Sequence, residues 1–342
     1  MKDLRTAPRS DDELEELLSR PPASLVSLLS TLSGDFLILG AGGKMGPSLG
    51  RMVKRAASGR RVTAVSRWTD EQAALMLRAA GVETISADLL DPRALAALPD
   101  TENVIYMAGQ KFGTTGNPAM TWLLNAGLPT LVAERFRGAR IAVFSTGNVY
   151  ALTLAAQGGS REEDLLAPVG EYAWSCVARE RIYSAAAAGH DTPTAIVRLN
   201  YAHDLRYGVL TDLGVKIQSH QPIDLRMSWV NVIWQGDANA FAIAALSRAA
   251  APEPFVVNVA GRECLRVKAL AEELAARLDC TPSFVGDEVP DALLSNSTRM
   301  GSMLDLEPLH HSTLLDWVAE WLTSRGRLLG KPTGFEKRDG SF

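Results

Sequence analysis

The chain has 342 residues, 46% of them hydrophobic and 22% charged, with a formal net charge of −4. This length suits one large α/β domain with a smaller appendage, or two domains. The mild negative charge leaves no footprint for nucleic acid or anionic lipid, so a small soluble partner is expected.

No apolar run approaches the length that crosses a bilayer, so no membrane is expected. The start, MKDLRTAPRSDDELEELL, lacks the apolar core of a signal peptide. Cys176, Cys264 and Cys280 are odd in number and far apart, which implies no disulfide framework and a reducing, cytoplasmic setting. The five histidines show no metal-ligand spacing, so no metal is expected.

Ser10 and Glu13 can open a helix as a capping box, and Pro21-Pro22 ends it. A second helix over 23–32 closes at Gly34, so residues 1–33 read as a helical extension. Short apolar strands then alternate with amphipathic helices. The strands fall at 35–39, 61–65, 83–86, 104–108, 141–145 and 194–199, and the helices at 44–57, 71–80, 92–98, 119–135 and 172–188. This rhythm predicts a parallel sheet covered on both faces. Past 199 the alternation loosens: 200–234 is rich in loop signals, 235–249 is helical and 255–259 is one more strand. Helices follow at 265–278 and 312–324, the latter with Trp317 and Trp321 on one apolar face, which reads as core. The last stretch, KPTGFEKRDGSF, is polar and is expected to wrap the surface.

LILGAGGKMG sets Gly40, Gly43 and Gly46 between a buried strand and a helix. Glycines there allow a tight turn, backbone approach to a pyrophosphate and close helix–strand contact, while the helix N-terminus supplies N–H groups and partial positive charge. Lys44 and Met45 fall in the same loop. About twenty residues on, where a dinucleotide's ribose is read, stand Ser66 and Arg67 and no acid. Serine and arginine can donate to a 2′-phosphate, which favours NADP with NAD possible; stacking of Arg67 on adenine would serve either.

The G-x-x-G-x-x-G spacing resembles that of the extended short-chain dehydrogenase/reductase family, which includes nucleotide-sugar epimerases and dehydratases. The resemblance runs over about 35–330. It implies a doubly wound Rossmann-type sheet with a small C-terminal substrate lobe. The dinucleotide domain would be 34–199 plus 235–260, the substrate lobe 200–234 plus 261–330, and the tail 331–342. It further implies that Asp88 and Leu89 meet the adenine, that Ala108 and Gly109 flank the ribose, and that Lys111, placed like the lysine of the epimerases' AGLK segment, reaches the cofactor or stays solvated.

FSTGNVYA (144–151) resembles the family's SS-x-x-VYG segment, which makes Thr146 the catalytic hydroxyl. Tyr172, with Ser175 and Glu180, resembles the helix pattern YxxSKxxxE, in which Cys176 replaces the lysine. That lysine binds ribose and lowers the tyrosine pKa, ordinarily about 10; a cysteine supplies no positive charge. Three readings follow: Tyr172 acts as a proton donor in carbonyl reduction, another cation such as Lys111 substitutes, or dinucleotide binds without turnover. A nucleophilic Cys176 is a fourth, lacking a basic partner. IVRLNYAHD resembles the family's R-x-x-N-VYGP run, which puts Asn200 and Tyr201 at the substrate but lacks Gly-Pro. Polar groups such as Arg206, Tyr207, Asn231 and Gln235 are further candidates for the cleft. The resemblance also implies a homodimer through helices 119–135 and 172–188, and an NAD(P)-linked oxidoreductase or epimerase acting on a sugar-like alcohol or carbonyl.

Overall fold

The computed structural model describes residues 6–111, 113 and 116–341; the first five residues of the expected extension and the last of the tail lie outside the described residues. Two helices come first, α1 (Asp11–Leu18) and α2 (Ala23–Thr31). Ser10 caps α1, its hydroxyl accepting from the Glu13 amide at 3.2 Å. The two helices part company in packing. Leu14 and Leu18 of α1 enter the core of the substrate lobe, while Leu25 and Leu29 of α2 pack against the sheet.

The alternation follows as β1 (Phe36–Leu39), α3 (Gly46–Ala56), β2 (Val62–Ser66), α4 (Glu71–Ala79), β3 (Glu83–Ser86), α5 (Pro92–Ala96) and β4 (Asn103–Tyr106). The helix expected over 119–135 is broken into α6 (Pro118–Trp122), a π-helical turn (Leu123–Gly127) and α7 (Leu128–Arg135). Pro129 has no N–H to return to the Asn125 carbonyl, so the regular ladder fails there. That carbonyl instead accepts from Arg179 Nε at 3.4 Å. Then come β5 (Arg140–Thr146), α8 (Gly170–His190), β6 (Thr194–Leu199), α9 (Val209–Gln218), α10 (Gln235–Ala244), β7 (Phe255–Val259), α11 (Val267–Arg277) and α12 (His311–Thr323).

Among the described residues seven strands form one parallel sheet, ordered β7-β6-β5-β4-β1-β2-β3. This is the Rossmann-type fold expected. The order reverses at β1, which pairs with β2 on one side and β4 on the other. A crevice therefore opens beyond the carboxyl ends of β1 and β4, where such sheets bind ligands. Successive side chains of β1 feed opposite faces, Phe36 and Ile38 one core, Leu37 and Leu39 the other. The lobe has its own core, built from α9, α11 and α12 with Trp317 and Trp321 inside, as their spacing predicted.

The tail departs from a surface wrap. Phe335 is only 2% exposed within the lobe core, and Thr333 lines the main cavity. The Phe335 ring anchors this mostly polar stretch, since burying that ring offsets the cost of ordering the strap.

Candidate active site

The crevice begins at the glycine loop. Gly40 has φ +87°, and a Cβ there would strike the backbone of Ala108; one on Gly46 would strike the Ala41 carbonyl. Gly43 meets nothing closer than the Gly40 oxygen at 3.7 Å, so its face is open. The two turns close on the fold, and the third glycine leaves room above the mouth of α3. No side chain caps that mouth. An open cradle at an uncapped helix N-terminus fits a pyrophosphate.

Ser66 ends β2, and Arg67 beside it is exposed. Asp88 is exposed, with one carboxylate oxygen accepting from the Leu90 amide at 3.0 Å. The Leu89 side chain is buried in the sheet core, which leaves only its backbone for a ligand. Trp68 was passed over in sequence. It holds a left-handed φ of 49°, and its indole donates to the Ile85 carbonyl at 2.9 Å, which sets an aromatic surface beside Ser66. These residues, with Ala108, lie along the carboxyl edge of the sheet, outside the main cavity.

That cavity, about 280 Å³, gathers Gly40, Gly43, Lys44, Met45, Gly109 and Lys111 from the dinucleotide side with Thr146, Tyr172, Asn200 and Tyr201. Tyr207, Gln235 and Thr333 complete the lobe side. Arg206 and Asn231 stand elsewhere. Arg206 is buried in ion pairs with Asp204 and Glu15, and the Asn231 amide donates to the Ser295 and Gly261 carbonyls. Tyr201 holds φ 42°, strain of the kind that clusters at ligand sites.

Thr146 and Tyr172, 26 residues apart, are joined by a hydrogen bond. Thr146 Oγ1 already accepts from the Asn148 amide N–H at 3.2 Å and from its side-chain nitrogen at 2.9 Å. Its own hydrogen thus points to the phenol oxygen, which lowers the phenol pKa. Tyr172 in turn hydrogen-bonds Cys176 one turn along α8, a contact that raises the phenol and lowers the thiol, as donation from phenol to sulfur requires. Burial outweighs these effects and holds Tyr172 well above its ordinary range. Cys176 does not line the cavity. It is fully buried among Val149, Tyr150 and Val177, and desolvation pushes its thiol up.

The cation nearest this pair in α8 is Arg179, which sequence reading missed. It is buried, lines the cavity and pulls the phenol pKa down. Its guanidinium donates to the Phe144 carbonyl at 2.8 Å and to Asn125 Oδ1 at 2.7 Å. Asn125, presented by the π turn, also accepts from the Gln110 amide at 2.8 Å and donates to Ser175 Oγ at 3.0 Å. Gly109 sits over both groups, and a Cβ there would collide with the Arg179 guanidinium and the Asn125 oxygen. The signal was available: Tyr172, Cys176 and Arg179 fall at i, i+4 and i+7, one face of a helix.

Lys111 lies deep in the cavity, and desolvation lowers its pKa to about 8. Lys44 turns toward the lobe, its ammonium 2.9 Å from the Tyr207 ring centroid. Glu180 fixes α8 to the sheet: it accepts from Ser145 Oγ at 2.5 Å and from Arg198 at 2.7 Å. Asn200 donates to Asn231 Oδ1 and to the Leu293 carbonyl, spending its amide hydrogens on the lobe.

One family model, that of the NAD dependent epimerase/dehydratase family, matches residues 36–202. The epimerase/dehydratase match thus spans β1 to the start of the lobe. No curated protein sequence matches the chain. Solved structures of similar fold include a UDP-glucose 4-epimerase from Thermotoga maritima, 15% identical with a TM-score of 0.70, covering 85% of this chain and 99% of that one. A UDP-Glc/GlcNAc 4-epimerase from Campylobacter jejuni is 18% identical, TM-score 0.71, with the same coverage. A UDP-glucuronic acid 4-epimerase from Bacillus cereus in complex with NAD is 15% identical, TM-score 0.67, covering 84% of this chain and 96% of that one.

Proposed function

We propose that the chain is a nicotinamide-dinucleotide-dependent oxidoreductase or epimerase acting on a sugar-like alcohol or carbonyl. The observation that carries this is the hydrogen bond between Thr146 and Tyr172 inside a cavity that starts at the glycine loop. Gly40, Gly43, Lys44, Met45 and Gly46 would hold the pyrophosphate, Ser66, Arg67, Asp88 and Leu89 the adenosine, and Ala108, Gly109 and Lys111 the second ribose. Bound there, the nicotinamide supplies a hydride donor or acceptor.

In the free protein the Thr146 hydroxyl donates to the phenol and the phenol to Cys176. With substrate bound both would turn to the substrate oxygen, Thr146 orienting it and Tyr172, kept protonated at neutral pH, handing it a proton as a carbonyl is reduced. In the oxidative direction Tyr172 must first lose the proton. Arg179 then does part of the missing lysine's work, as a fixed positive charge that favours the phenolate. The absence of an acid beside Ser66 and Arg67 supports NADP; the NAD held by the Bacillus cereus relative supports NAD.

The second reading, a dinucleotide-binding protein without turnover, is favoured by the neutral, buried Cys176. The exposed Trp122, Leu123 and Leu131 beside α7, with Trp174 on α8, support a homodimer through these helices, which sedimentation of the purified protein checks.

The test is reduction of aldehyde and keto sugars by NADH or NADPH. Tyr172→Phe and Thr146→Ala should each lower kcat by roughly 100-fold or more, the scale of general acid catalysis, with coenzyme binding intact. Coenzyme binding with no rate to lose would leave the second reading standing; no coenzyme binding would end both.

A further inference from the structure

β2 ends at Ser66, and Asp70 caps α4 a short turn later. Inside that turn Trp68 holds φ 49°. A bulky side chain is a poor occupant of the left-handed region, and such strain collects where a ligand is held. The turn folds the indole back across the carboxyl ends of two strands. Its Nε1 donates to the Ile85 carbonyl of β3 at 2.9 Å. The benzo edge faces the glycine loop: a Cβ on Gly42 would lie 3.9 Å from Trp68 Cε3. The ring also packs on the core that holds Ile38 and Leu49, yet the residue is only half-buried. With both edges taken and one face packed, the part left open is the other face. It lies on the β2–β3 side of the glycine loop. A dinucleotide whose pyrophosphate sits at the mouth of α3 carries its adenosine to that side.

The polar neighbours of the indole are disengaged. Among the described residues neither the Ser66 hydroxyl nor the Arg67 guanidinium makes a hydrogen bond or an ion pair, and Arg67 is exposed. A Cβ on Gly42 would strike Ser66 Oγ, so that hydroxyl lies against the glycine loop. A flat aromatic face holds a purine by stacking and reads nothing of the ribose. A hydroxyl and a guanidinium read the ribose and any phosphate on it.

We infer that Trp68 is the platform for the adenine ring of the coenzyme. Stacking then falls to the indole and not to Arg67, which with Ser66 meets the 2′ position of the ribose. This rests on the reading of the site as a dinucleotide site and divides its adenosine half between named residues.

The experiment is calorimetry on the full chain with AMP, NAD and NADP, in the parent protein and in Trp68→Leu, Trp68→Phe and Arg67→Ala. Trp68→Leu should weaken all three by about tenfold, within the range that stacking of a base on an aromatic ring supplies. Trp68→Phe keeps a ring and should recover most of that loss. Arg67→Ala should weaken NADP by about tenfold and leave AMP and NAD within about twofold of the parent. AMP should also quench part of the parent's tryptophan fluorescence, and that quenching should vanish in Trp68→Phe while AMP still binds. A tryptophan with a purely structural role would not move this signal. Four results would each overturn the inference: Trp68→Leu binding NAD and NADP as the parent does, equal losses in Trp68→Leu and Trp68→Phe, quenching that survives in Trp68→Phe, or Arg67→Ala losing all three ligands alike. No heat from the parent with AMP or either coenzyme would strike the functional reading beneath it as well.

Discussion

Glu180→Gln tests the buried pair that holds α8 to the sheet. Glu180 and Arg198 are almost wholly buried, and the carboxylate accepts from Arg198 at 2.7 and 3.0 Å and from Ser145 at 2.5 Å. The amide replacement removes the negative charge and turns N–H groups toward a guanidinium that has only donors. Breaking a buried pair from one side costs about 3–5 kcal/mol. Arg198 keeps the Tyr150 hydroxyl at 2.6 Å and the Glu162 carbonyl at 3.1 Å, so the lower end, about 3 kcal/mol, applies. For a chain of this size that is a fall in Tm of about 6 °C, at roughly 2 °C per kcal/mol. Urea unfolding followed by fluorescence should show a lower midpoint with an unchanged slope. The double variant Glu180→Leu, Arg198→Met should recover to within about 1 kcal/mol of the parent, since it leaves no lone charge. A single-variant loss below about 1 kcal/mol would refute the reasoning and mean that water or a repacked side chain compensates Arg198.

Arg67→Ala should weaken NADP more than NAD in a binding titration if the guanidinium meets a 2′-phosphate; equal loss would return it to stacking on adenine. Asp237 on α10 is half-buried, accepts from the Leu309 amide at 2.7 Å and is raised to about 7 by desolvation. Its folded pKa lies above the unfolded one, so its contribution to stability is full at pH below about 4 and is lost as pH rises to about 7. Asp237→Asn should therefore gain on the parent protein as pH rises through that window, and a pH-independent difference in urea midpoint would contradict the burial.

Much of the site was legible because its parts are encoded locally. The glycine loop declares itself through a strand, three glycines and a helix, and Gly40 and Gly46 prove to be required by contacts within that unit. Thr146 and Tyr172 were readable from their own segments, and the sheet then brought them together. The sequence did not tell that the Leu89 side chain faces the sheet core and leaves only its backbone toward a ligand, because that direction depends on what packs beneath it. Cys176 showed what was missing, yet not whether the thiol faced the cavity or the core.

The sequence by itself determined a parallel α/β architecture and a glycine-rich turn between its first strand and the helix that follows, because these follow from periodicity and turn chemistry within a few residues. Only the tertiary structure decided that Arg179 sits beneath Gly109, that Lys44 turns to Tyr207 and that Thr333 closes the pocket. The physical reason is that a side chain's charge and reach are set by what packs against it, and those neighbours lie from tens to hundreds of residues away along the chain.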